Sequence, residues 1–74
     1  MELSERITRW RESRGWTKSE FARRVGVTLE AVIQWENGDT KPTHARVEAI
    51  AKALGVSVER FWGPLPKSKR KVRA

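Results

Sequence analysis

The chain has 74 residues, no cysteine, and 16 Lys+Arg against 9 Asp+Glu, for a net charge of +7. That length allows one small domain whose core supplies about 3–5 kcal/mol, and without cysteine neither a disulfide nor a thiolate metal site can add to it. The charge favours a polyanionic partner, nucleic acid before a membrane surface, although a basic shell that keeps a small protein in solution carries the same charge.

The first helix is predicted from Leu3 or Ser4 to Ser13. Leu3, Ile7 and Trp10 fall at i, i+4 and i+7 on one face, and Gly15 ends it. Thr17-Lys18-Ser19-Glu20 then has the form of a capping box, in which the Thr hydroxyl accepts from the Glu20 N–H and the Glu20 carboxylate reaches back. Trp16 and Phe21 bracket it at the spacing of a hydrophobic staple. The second helix runs to about Val25, with Arg23 and Arg24 on its solvated far side, and Gly26 allows the tight exit. Thr28 caps a third helix that ends at Gly38, with Val27 and Val32 at staple spacing. Two short helices joined by a Gly-containing turn form the pattern of a helix-turn-helix.

After Gly38 the loop DTKPT carries Pro42, which disfavours helix for Lys41. Thr43 caps a fourth helix, His44 to Leu54, with Val47, Ile50, Ala51 and Leu54 as its apolar stripe. Gly55 stops it. Ser57 caps a short fifth helix ending near Trp62, with Val56 and Phe61 at staple spacing, and Gly63-Pro64 terminates it. All five glycines fall at helix ends, and no segment reads as a strand. The expectation is an all-α domain of five helices over residues 1–66, followed by a basic tail, 67–74. Lys67 to Arg73 holds five basic residues and no acid. It reads either as an arm lying along phosphate or as a solubilising tail.

The stretch FARRVGVTLEAVIQWENG resembles the helix-turn-helix of the lambda-repressor-like, Cro/cI-type (XRE) family. Phe21-Ala22, Gly26-Val27, Val32, Trp35-Glu36 and Gly38 carry the match. The similarity extends through Arg11 upstream and ALGVSVERFW downstream, covering roughly residues 3–63. Val32 and Trp35 point inward by spacing, which leaves Thr28, Leu29, Glu30, Ile33 and Gln34 outward. The resemblance implies that this outward face contacts base edges. Gln34 can bond adenine N6 and N7, and Leu29 and Ile33 can pack on thymine methyl groups. Glu30 departs from the neutral polar residues common in the family. It can accept from cytosine N4, but it repels phosphate and could equally face a protein. The resemblance further implies phosphate contacts at Thr17 and Lys18, where helix N-terminal N–H groups attract anions, and at Lys41 and Thr43, with Asn37 assisting. It implies a structural ion pair between Arg11 and Glu36, and a dimer contact around the fifth helix through Val58, Phe61 and Trp62.

His44 is the one histidine, and with no cysteine present it has no partners for a metal site. No nucleophile–base pair or Gly-rich phosphate loop stands out, so a non-enzyme without cofactor or small-molecule ligand is expected. No apolar run approaches the roughly 18 residues of a membrane span, and MELSERITRW lacks a signal-peptide core. These features lead to the expectation of a cytoplasmic regulator that binds double-stranded DNA as a homodimer. The competing reading is an antitoxin-like module that covers a protein partner.

Overall fold

A hydroxyl cap opens each of the last four helices. In the computed structural model, which describes residues 3–66, the order is α1 (Leu3–Ser13), α2 (Lys18–Val25), α3 (Leu29–Asn37), α4 (His44–Leu54) and α5 (Val58–Trp62). The Oγ1 atoms of Thr17, Thr28 and Thr43 and the Oγ of Ser57 accept from the N–H three residues on, at 3.0, 3.1, 3.2 and 3.0 Å. Each such cap satisfies one of the orphan donors of the first turn. No strand occurs among the described residues, and no helix there is long and apolar enough to cross a membrane. The basic tail expected at 67–74 lies outside the described residues.

The capping box at α2 is half made. The Glu20 carboxylate turns to Arg24, with Oε2 3.0 Å from Nη2, instead of reaching back to Thr17. Arg24 is not simply solvated. Its guanidinium lies 4.5 Å over the Trp16 ring, and that ring stacks on Phe21 with centroids 6.2 Å apart. The staple therefore forms, and a cation covers its outer side.

The core is built from Ile7 and Trp10 of α1, Phe21 and Ala22 of α2, Val32 and Trp35 of α3, four residues of α4 and Phe61 of α5. The third helix packs against α1 and α2, while α4 packs against α2 and α5. Trp10 is the hinge pin of the α1–α5 contact. It stacks on Phe61 at 6.3 Å, and its buried indole N–H donates to the Phe61 carbonyl at 3.1 Å. Phe61 is fully buried. It belongs to the core, which corrects its expected place on an interaction surface; Val58 is half-buried and Trp62 is 47% exposed.

Arg6 of α1 and Arg14, just beyond its end, seal helix ends elsewhere in the domain. Arg6 Nη1 donates to the carbonyls of Phe61 and Gly63 at 2.8 and 2.7 Å. Arg14 Nη2 donates to the Leu54 carbonyl at 2.7 Å. A cation at the C-terminus of a helix satisfies unpaired carbonyls and meets the negative end of the dipole.

Candidate nucleic-acid interface

The turn between α2 and α3 is set by Gly26 and Val27. Gly26 adopts a left-handed backbone, φ 90°, and its N–H bonds the Ala22 carbonyl at 2.8 Å. The Val27 N–H bonds the same carbonyl at 3.0 Å, and its side chain packs against the core. A Cβ at Gly26 would meet nothing within 4 Å, so the requirement for glycine there is conformational.

Burial of Val32 and Trp35 fixes the rotation of α3. Thr28, Leu29, Glu30 and Gln34 are exposed, Leu29 to 43%, and Ile33 is half-buried. The five residues expected to face outward thus share one side, with Ile33 at its edge. From behind, the helix is braced by a buried ion pair. Arg11 Nε and Nη2 donate to the two carboxylate oxygens of Glu36 at 2.8 and 3.1 Å, with side chains only 7% and 4% exposed. The same guanidinium donates through Nη1 to the Trp16 carbonyl at 2.8 Å. Arg11 therefore joins α1, α3 and the residue just before the α2 cap. The family pattern suggests the pair; it does not reveal the third bond.

The residues expected to meet phosphate lie on the segments that flank α3. Thr17 is exposed at the start of α2, and Lys18 beside it is half-buried. Asn37, Lys41 and Thr43 are exposed at the end of α3 and in the loop beyond. That loop is tied back to α3: the Gln34 carbonyl accepts from the N–H groups of Asp39 and Thr40 at 2.9 and 3.4 Å. Thr17, Thr28 and Thr43 use a hydroxyl lone pair for capping, which leaves each O–H proton free to be donated to an anion or a base. Loss of the Thr17 cap should cost about 1 kcal/mol. A Thr17→Ala variant is therefore expected to melt several degrees lower, and an unchanged melting temperature would mean that the hydroxyl contributes nothing to α2.

Arg6 and Arg14 were not among the residues expected to matter. The signal available was that Arg6, Trp10 and Arg14 fall at i, i+4 and i+8 on one face. His44 lies 3.2 Å from Glu48 on the exposed side of α4. Among the described residues no three His, Cys, Asp or Glu side chains gather as metal ligands would.

The HTH_3 helix-turn-helix family model matches residues 7–61, from within α1 to Phe61 of α5. The chain belongs to this lambda-repressor-like family. The HTH_3 domain is 29% identical to the cryptic phage CTXphi transcriptional repressor RstR of Vibrio cholerae over 85% of this chain and 56% of that one. It spans only 17 to 56% of the length of three curated relatives it matches, all helix-turn-helix regulators or repressors. Among solved structures it is similar to the P22 c2 repressor in complex with a synthetic operator, with a TM-score of 0.73 and 30% identity over 82% of this chain and 92% of that one. It is equally similar to SinR, a master regulator for biofilm formation, in complex with DNA: TM-score 0.73 and 27% identity over 82% and 98% of the chains. SinR in complex with SinI matches with a TM-score of 0.72 and 28% identity, over 81% of this chain and 59% of that one.

Proposed function

We propose that this HTH_3 domain is a sequence-specific regulator of transcription that binds double-stranded DNA in the cytoplasm, as a homodimer on a pseudo-palindromic operator. The observation that carries the reading is the face of α3. Thr28, Leu29, Glu30, Ile33 and Gln34 are presented on one side, while Val32, Trp35 and the Arg11–Glu36 pair hold the helix from behind. A helix so presented can enter the major groove, with Thr17, Lys18, Asn37, Lys41 and Thr43 meeting the backbone on either side. The relatives found on DNA support the same reading. A gel shift on the DNA upstream of the protein's own gene, followed by footprinting, tests it; no protected site there or in a randomised library would overturn it.

One helix-turn-helix covers too few base pairs to be selective, so a two-fold dimer with recognition helices about 34 Å apart is the geometry proposed. Trp62 and Val58 of α5 offer the contact. The Trp62 ring is held edge-on against Phe61 and beneath the Arg6 guanidinium, yet it remains 47% exposed, and a rigid tryptophan is a common interface anchor. Sedimentation should show a concentration-dependent dimer, tightened by a palindromic site and weakened by Trp62→Ala. A monomer that binds one half-site one-to-one would remove the dimer.

A second reading has its own support. Among the described residues, Leu29 and Trp62 are the large apolar side chains left exposed, and SinR is found with a protein partner. An antitoxin-like module would bind a protein encoded beside it and give no footprint.

A further inference from the structure

Glu30 sits in the first turn of α3, exposed, on the side that carries Gln34. Other carboxylates near cations are used: Glu20 by Arg24 and Glu36 by Arg11, with Glu12 also 3.9 Å from Arg11, while Glu48 lies against the His44 ring. No cation among the described residues pairs with Glu30. In a chain of charge +7, an unneutralised carboxylate thus lies in the middle of the surface that approaches DNA. An acid in the first turn favours the helix dipole, but so would one on the solvent side of the turn, where no DNA is met.

We propose that Glu30 determines specificity by exclusion, so that the operator must place a cytosine amino group opposite the first turn of α3. The inference rests on the DNA-binding reading and deepens it. In the major groove guanine shows only acceptors, N7 and O6, and thymine shows an acceptor and a methyl group. A carboxylate set against either is desolvated without a donor. Adenine offers N6–H but places the N7 acceptor beside it. Cytosine offers N4–H with an acceptor on one side only, the O6 of its paired guanine, whereas adenine N6–H lies between its own N7 and the paired thymine O4; a carboxylate is the natural partner of cytosine N4. Most sequences are thereby penalised more than the correct one is rewarded, which is selectivity by repulsion. The register follows from the helix. Glu30 and Gln34 are one turn apart on one face, about 6 Å along the axis. At about 3.4 Å per base pair, the cytosine read by Glu30 lies roughly two pairs from the adenine read by Gln34.

The test is selection from a randomised operator library with wild type, Glu30→Gln and Glu30→Ala, followed by affinities on sites that differ at one pair. Wild type should prefer cytosine at that pair by about tenfold. Glu30→Gln should lose this preference in favour of adenine and bind non-cognate DNA several-fold tighter, most clearly at low salt where charges are least screened. Preference at the Gln34 pair should stay unchanged in both variants. A purely structural role at the helix N-terminus would shift the melting temperature and leave base preferences alone. Identical preferences in wild type and Glu30→Gln, or no cytosine preference in wild type, would overturn the proposal while leaving DNA binding intact. A wild type that selects no sequence would sink the DNA-binding reading itself.

Discussion

Replacing Glu36 with alanine is expected to leave the domain largely unfolded at 25 °C. The change strands the Arg11 guanidinium in a place where its side chain is 7% exposed. Removing one partner of a buried pair costs about 3–5 kcal/mol, because the remaining charge is left without water or counter-ion. That is comparable with what the core of so small a domain supplies. Glu12 is a weaker partner, since its carboxylate stands 3.9 Å from Nη2 and is 27% exposed. Arg11→Ala should cost nearly as much, since it also releases the Trp16 carbonyl. Exchanging both partners for apolar residues, Arg11→Met with Glu36→Leu, should recover much of the loss. Thermal and urea melts followed by circular dichroism supply the numbers, and a double-mutant cycle isolates the coupling. A loss below about 1 kcal/mol for Glu36→Ala would show that water reaches the pair.

The second large effect concerns Gln34. If its amide reads a base, Gln34→Ala should weaken cognate binding by about 1–3 kcal/mol and relax preference at one base pair per half-site. The fold should be unaffected, because the side chain is exposed and α3 uses only the Gln34 backbone carbonyl to hold the loop. Lys18→Ala and Lys41→Ala should behave differently. They should weaken binding to all sequences alike and lower the salt slope by about 0.9 for each phosphate no longer neutralised. A Gln34→Ala variant that weakens every sequence equally would place Gln34 among the residues that touch only the DNA backbone.

The helices were legible because their signals are local. A Thr or Ser cap, a staple and a glycine act within one turn of the chain, so α2 to α5 begin and end where the sequence places them. The rotation of α3 was legible for a related reason, since Val32 and Trp35 leave only one side free. What stayed hidden depends on where other elements arrive. Glu20 has both the Thr17 N–H and Arg24 within reach, and the ring of Trp16 draws Arg24 inward. The fifth helix offers Val58, Phe61 and Trp62 within five residues. Only contact with Trp10 decides that Phe61 is the one swallowed by the core. Likewise, nothing local to Arg6 or Arg14 points to carbonyls on α5 and α4. The role of each residue of the α3 face toward DNA lies beyond the fold altogether, since a fold hosts a function through its site.

The seal made by Arg6 joins residues 55 and 57 positions apart in the chain. The first and last helical turns of the domain are thus fastened to each other, with Trp10 and Phe61 beneath the clasp. A growing polypeptide cannot complete this closure until Gly63 has emerged from the ribosome, so α1 to α4 must wait, incompletely packed, for the final turn to arrive. The same proximity makes the boundaries of the described domain, near Leu3 and Pro66, natural points to join. A short flexible linker between them, with a new opening cut in an exposed loop, would yield a circularly permuted chain in which α1 and α5 are neighbours in sequence as they already are in space.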